Sequence, residues 1–351
     1  EEPEPEVEAA LPLRVALTTF PNALDLPAAA EKNASNASWS LYDSLVWVDH
    51  DGKVQPALAE SWEISDDGTE VTMKLREDVT FHNGAPMTAE DVVYSWERGK
   101  RDEFQFSERW ALVELVEALE DYTVKLTVAG PQPLLLRNIA WNWGIVPKAY
   151  IEEVGEEGFT ANPVGTGPFM FEEWAKGDRI TLKANPNYWR EGYPKSETLI
   201  FRPIPESSTR VAAIQTGEID VVTRLSSEEA ASLEGLDNVK VVCYPVVRVY
   251  YIAFNYLTSG LDQPSMDPKV RQALYYAVDV DSIIEALFDG NGRPSTGYVT
   301  PANWGYDTEI QPFGYDKDKA IALLTEAGYP DGFDMDFACP SGAYTNFEQV
   351  C

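Results

Sequence analysis

Alternation at Leu13-Arg14-Val15-Ala16-Leu17 reads as a strand that delivers the polar loop Thr18-Thr19-Phe20-Pro21-Asn22. Ser40 to Trp47 is amphipathic, and Asp49-His50-Asp51-Gly52 is a hairpin-type turn. Val71 to Leu75 and Val124 to Val128 repeat with period two, as half-buried strands do. Between them Thr88 and Asp91 resemble a capping box, with Asp where Glu or Gln is usual, and Val92, Val93 and Trp96 form the apolar stripe of the helix that follows. Strands are predicted near 170–174, 180–184 and 198–204, then a helix from about Ser208 to Thr216 stopped by Gly217. A strand over Ile219–Thr223 would put Thr223 and Arg224 at its carboxyl end, where open α/β sheets hold ligands. The apolar, aromatic run Val239–Asn255 predicts one long or two short strands. Three helices follow. The first is capped by Asp267 with Pro268 at its first position, the second spans about Asp281 to Phe288 before Gly290, and the third starts near Asp316 and closes on Gly328.

The stretch Asn162-Pro163-Val164-Gly165-Thr166-Gly167-Pro168-Phe169 specifies one backbone path, because each glycine can take positive φ and each proline fixes its own. It is not a phosphate cradle. A P-loop needs four residues between its glycines and then Lys-Ser/Thr, and a dinucleotide fingerprint must open a helix, whereas a strand pattern follows here. The motif reads as a scaffold turn.

The chain has 351 residues, enough for two or more lobes, with 27 Lys and Arg against 58 Asp and Glu for a net charge of −31. That excess repels nucleic acid and anionic membranes and implies a heavily solvated acidic surface, suited to a salty medium, with attraction of cationic ligands as the alternative. Residues 1–10 are acidic, contain proline and lack periodicity, which predicts a disordered tether. No signal peptide and no run of about 18 apolar residues is present, as in a secreted protein already trimmed or a cytosolic protein with a ragged start, and the sequence leans toward the first. Cys243, Cys339 and Cys351 show no metal spacing and allow either one disulfide with a free thiol or three thiols. His50 and His82 sit in a turn and after a strand and read as structural; no metal site or cofactor is expected. Thr345 and Glu348 form a capping box just before the last residue, which predicts a helix continuing past Cys351 in a longer chain.

Several segments in order resemble the family 5 extracellular solute-binding proteins, the dipeptide and oligopeptide receptors of ABC importers. They are LYDSLVWVDHDGKVQPALAESWEISDDGTEVTMKLREDVTFHNGAPMTAEDVVYSW from Leu41 to Trp96, NPVGTGPF, ANPNYW from Ala184, GEIDVV from Gly217, YYIAFN from Tyr250, VRQALYYAVDVDSII from Val270, GYVTPANWGYD from Gly297 and YDKDKAIALLTEAGYPDGF from Tyr315. The resemblance implies an α/β, two-lobed periplasmic-binding-protein-like fold of type II with an extra subdomain. Lobe I would take 11–254 with the subdomain inserted at about 40–165, and 255–351 would hold the crossover and the N-terminal part of an incomplete second lobe.

It further implies a non-enzymatic, monomeric receptor in the periplasm or lipid-anchored outside the cytoplasmic membrane. Such a receptor captures di- or oligopeptides and hands them to permease and ATPase subunits. Carried onto this chain, the family's pocket residues are Thr19, Phe20 and Asn22, then Thr223 and Arg224, then Tyr250 and Tyr251, with Trp304 from lobe II and Trp141, beside Trp143, from the subdomain. Arg224 would fork onto a ligand carboxylate. The acidic partner for a peptide's amino group would lie past Cys351. Related receptors take oligosaccharides or nickel complexes, and the ten tryptophans suit sugar faces. A glycoside hydrolase is the remote alternative, since no motif nominates the required pair of carboxylates across a cleft.

Overall fold

The computed structural model describes residues 12–29, 32–244, 246–257, 260–303, 305–339 and 346–351. The acidic segment 1–10, Trp304 and Thr345, each given a role above, lie outside the described residues. The chain divides into two compact units, Glu1–Thr223 and Arg224–Cys351. The lobe boundary expected at 254 falls within the second of these.

In the first unit the alternation at the start becomes β1 (Leu13–Leu17), followed by α1 (Lys32–Ser38). A hairpin of β2 (Val46–Val48) and β3 (Val54–Pro56) turns through Asp49–Gly52 as the sequence predicts. Next come β4 (Ala59–Ile64), β5 (Glu70–Leu75), α2 (Ala89–Gly99), α3 (Ser107–Trp110), β6 (Leu115–Glu120), β7 (Thr123–Thr127), α4 (Leu135–Asn142) and α5 (Lys148–Ala161). The unit closes with β8 (Phe169–Ala175), β9 (Arg179–Ala184), β10 (Thr198–Pro203) and α6 (Ser207–Gln215).

Two four-stranded sheets organise this unit. One runs β1-β10-β9-β8, with β1 parallel to β10 and the rest antiparallel; the other is the antiparallel β4-β5-β7-β6. Each has a core of its own. Met73, Val92, Trp96, Val124 and Leu126 pack the second sheet against α2, where Trp110 and Trp143 stack with ring centres 4.9 Å apart. Leu41, Tyr42, Phe159, Ile180, Leu182 and Phe201 pack the first. The capping box is formed: the Asp91 carboxylate accepts from the Thr88 N–H at 2.9 Å.

The strand expected at Ile219–Thr223 is reduced to a parallel bridge between Val15 and Val221. Even so, the bridge sends Thr223 toward the end of β1 from which Thr18–Asn22 emerge.

The second unit holds α7 (Ser227–Leu233), α8 (Pro268–Ala277), α9 (Val280–Phe288), α10 (Lys317–Glu326) and α11 (Phe347–Val350). Asp267, Asp279 and Asp316 cap α8, α9 and α10 through their side chains, as short acidic residues do at helix starts. The strands expected over Val239–Asn255 are not formed among the described residues. A strand is stable only when a neighbour takes its backbone donors and acceptors. No such neighbour exists among the described residues of this unit, and Val242, Tyr244, Val246, Val247 and Ile252 are exposed. A disulfide joins Cys339 to Cys351 and leaves Cys243 as an exposed free thiol, which selects one of the two cysteine arrangements the sequence allows.

Candidate functional site

The loop leaving β1 is held from beneath by one buried amide. Asn33 Nδ2 on α1 donates to Thr19 Oγ1 at 2.6 Å, to Thr18 Oγ1 at 3.1 Å and to the Thr19 carbonyl at 3.3 Å. Phe20 meets Trp174 edge-on with centres 5.9 Å apart. Asn22 is tied by Nδ2 to the Ala28 carbonyl at 3.4 Å. Farther along, Asp25 lies buried in a fork from Arg98 of α2, at 2.7 and 3.1 Å. Thr19, Asn22 and Thr223 are exposed. A fixed backbone thus presents short polar side chains at the carboxyl edge of a sheet, an arrangement suited to hydrogen-bonding a small ligand.

In the second unit Arg224 holds φ of 60°, a left-handed conformation that costs a non-glycine residue about 1 kcal/mol. Tyr250 is engaged by packing, stacked on Phe347 at 5.1 Å and tilted against Phe288 at 5.9 Å. Tyr251 is 58% exposed, its ring edge-on to Tyr298 at 4.9 Å, so it offers both face and hydroxyl. Trp304 lies outside the described residues.

The sequence paired Trp141 with Trp143, but the structure separates them. Trp143 is fully buried in the core, while Trp141, two residues earlier at the end of α4, is 60% exposed. Trp141 lines a cavity of about 470 Å³ in the first unit that none of Thr19, Phe20 or Asn22 touches. Around it stand Trp39, Trp47, Trp189, Arg190 and Asp43, residues that sequence reasoning left unmarked as a site. Sequence signals existed in ANPNYW, which holds Trp189, and in LYDSLVW, which holds Asp43 and Trp47, but both carry only the family resemblance.

The glycine turn connects to this cavity. His82 Nε2 donates to the Gly167 carbonyl at 3.0 Å, and its Nδ1 accepts from the Gly165 N–H at 3.1 Å. Between those glycines the Thr166 hydroxyl donates to Asp43 Oδ2 at 3.2 Å. Asp43 also accepts from the Trp189 indole at 3.0 Å and the Tyr188 hydroxyl at 2.9 Å. Burial pushes the Asp43 carboxyl up to about 6, against the Trp189, Tyr188 and Thr166 hydrogen bonds that favour its charge. Burial likewise pulls His82 down to about 4, against its bond to the Gly167 carbonyl. Both ring nitrogens are thus committed in the neutral form.

These two shifts act on stability in opposite directions. The depressed His82 stabilises the fold above its unfolded value near 6.5, and that contribution is lost as pH falls toward about 4. The raised Asp43 stabilises below its unfolded value near 3.8, and that contribution is lost as pH rises through about 6. Each slope is at most about 1.4 kcal/mol per pH unit, so they offset one another between pH 4 and 6. Thermal melts from pH 4 to 7 should therefore show His82→Gln less sensitive to acid than the parent and Asp43→Asn more sensitive. Parallel curves for parent and His82→Gln would show that the imidazole does not titrate with folding.

The family described as "Bacterial extracellular solute-binding proteins, family 5 Middle" matches residues 53–349. "Glutathione-binding protein GsiB" of Pectobacterium atrosepticum is 34% identical over 320 residues, covering 90% of this chain and 61% of the relative. The chain thus spans about three fifths of the length of that curated relative. Among solved structures, the periplasmic binding protein DppA from Helicobacter pylori, in complex with the peptide STSA, superposes with a TM-score of 0.79 at 31% identity. That match covers 92% of this chain and 67% of the other. NikZ from Campylobacter jejuni, in complex with Ni(L-His), gives 0.80 at 26% identity, over 90% and 63% of the two chains.

Proposed function

The chain belongs to the family 5 extracellular solute-binding proteins, and from that membership we propose that it is the ligand-capturing component of an ABC importer. The family match over residues 53–349 carries this reading. It would work outside the cytoplasmic membrane, periplasmic or lipid-anchored, binding without turnover and delivering its ligand to permease and ATPase subunits. Among the described residues no helix is long and apolar enough to cross a membrane.

The ligand class we assign is a short peptide, with glutathione as the first candidate, because the relative quoted above is a glutathione-binding protein. On the first unit the contacts are Thr19, Phe20, Asn22 and Thr223. On the second, Arg224 supplies a guanidinium suited to a carboxylate and Tyr251 an open ring with a hydroxyl. Tyr250 supports Tyr251 as its chain neighbour. Trp304 remains a proposed contact on sequence grounds alone. The likeness to a protein holding Ni(L-His) favours a metal–amino acid complex as the second reading.

A thermal-shift screen decides between them. A ligand at about a hundred times its dissociation constant stabilises the bound form by roughly 2.7 kcal/mol. Glutathione and di- to hexapeptides are expected to raise the melting temperature, and maltooligosaccharides and nickel–histidine to leave it unmoved. A response to the nickel complex or the sugar alone rejects the peptide class. Release of product from a peptide or glycoside would reject the receptor reading itself.

A further inference from the structure

The cavity beside Trp141 has the chemistry of a second ligand site. Its volume of about 470 Å³ lies in the range of small-molecule sites, about 300–1,000 Å³. Four of the ten tryptophans of the chain, Trp39, Trp47, Trp141 and Trp189, line it. Exposing indole to water is unfavourable, so a cluster of this kind marks a surface waiting for a partner. Among the described residues neither Trp39 nor Trp141 has an aromatic or cationic partner on its ring. The walls already show their taste for cations. The guanidinium of Arg190 lies 5.6 Å from the ring centre of Trp47, and that of Arg76 lies 4.9 Å from Trp189.

Two opposite charges border the same space, Asp43 and Arg190. Arg190 is exposed and, among the described residues, makes no ion pair, in a chain where carboxylates outnumber basic groups by about two to one (58 against 27). Its forked donors are open to a carboxylate. Asp43 differs: its oxygens already accept from Thr166, Tyr188 and Trp189. A primary ammonium, which must place three N–H donors, would find little acceptor capacity left there. A methylated ammonium donates no hydrogen bonds, is attracted by the carboxylate's charge at longer range, and is recognised by aromatic faces.

We propose that this cavity binds a small zwitterion of the betaine type, its methylated ammonium among Trp39, Trp141 and Asp43 and its carboxylate on Arg190. The site goes beyond the peptide-receptor reading and stands apart from the loop after β1.

Isothermal titration of the full chain with glycine betaine tests it, with glycine, choline and acetate as comparison solutes. Saturable one-to-one binding of betaine is expected, with glycine weaker by roughly tenfold or more, since its three N–H donors would lose water and find little acceptor capacity left on Asp43. Trp141→Ala should weaken betaine by a similar factor. Arg190→Gln should bring betaine down to the affinity of choline while leaving choline unweakened. Both side chains are exposed, so both variants should melt like the parent. Glycine binding as tightly as betaine, betaine binding unchanged in both variants, or no saturable betaine binding overturns the proposal. The response to glutathione reads the other site, so the two readings fail separately.

Discussion

Replacing Arg98 by alanine is expected to lower the unfolding free energy by about 3–5 kcal/mol, the usual cost of removing one partner from a buried ion pair. Arg98 is only 2% exposed, and its guanidinium serves two carboxylates at once. It forks onto Asp25, and it holds Glu156 of α5 at 2.6 Å, where Arg101 also reaches Glu156. Phe104 and Phe159 lie 5.1 Å from the same guanidinium. Burial works against the charge, and the Asp25 and Glu156 carboxylates overcome it, holding Arg98 above the ordinary arginine range. Alanine would leave the Asp25 carboxyl buried and without its ion-pair partner. Lysine should not rescue, because a point charge cannot span the two carboxylates as the planar fork does. The double variant Arg98→Met with Asp25→Leu should recover much of the loss, since apolar replacement of both partners removes the desolvation penalty as well. Urea unfolding of the single and double variants checks this. A loss below about 1 kcal/mol in Arg98→Ala would put the pair among solvent-screened surface bridges and reject the account.

The same substitution reaches the proposed ligand contacts. Asp25 lies three residues past Asn22 in the segment leaving β1, so freeing it is expected to loosen the polar loop as well as the core. Arg98→Ala is therefore a positioning defect as much as a stability defect, and its peptide affinity should fall further than that of a variant matched in stability elsewhere.

Local signals in the sequence carried a large part of the fold. The Thr88–Asp91 box, the alternating strands and the Asp267-Pro268 helix start depend on residues within a few positions of each other, and all are present. Partnerships at long range were invisible. Arg98 stands in the string Glu97-Arg98-Gly99-Lys100, which reads as a solvated helix face, yet its partner Asp25 is 73 residues away. Asp43 looked like one more acidic residue among 58, and its donors Tyr188 and Trp189 lie 145 and 146 residues on. Val239–Asn255 erred the other way. Its residues favour a strand, but a strand also needs a neighbour, which no window of sequence supplies.

Replacing Gly167 by alanine is expected to cost about 3 kcal/mol or more, at the upper end of overpacking penalties, for a reason other than the one the sequence suggested. Glycines bracketing a threonine imply positive φ, yet Gly165 and Gly167 are absent from the left-handed residues, which include Gly155 and Gly177. What they supply is proximity. A Cβ on Gly167 would lie 2.5 Å from the Leu41 carbonyl carbon, 2.7 Å from its oxygen and 2.7 Å from the Tyr42 nitrogen. One on Gly165 would also collide with the Leu41 carbonyl. These neighbours are main chain, so no rotamer change relieves them. Moving them would break the bonds from the Gly167 N–H to Leu41 O at 2.9 Å and from the Phe169 N–H to Ser40 O at 3.0 Å. Gly130→Ala is the control, since nothing lies within 4 Å of its would-be Cβ and its φ is not positive. Its change should stay within about 0.5 kcal/mol. Urea unfolding that finds Gly167→Ala no worse than Gly130→Ala would mean the two segments do not touch. A large loss would identify the turn as the clasp that holds Leu41–Asp43 in place, and with Asp43 the carboxylate of the tryptophan cavity.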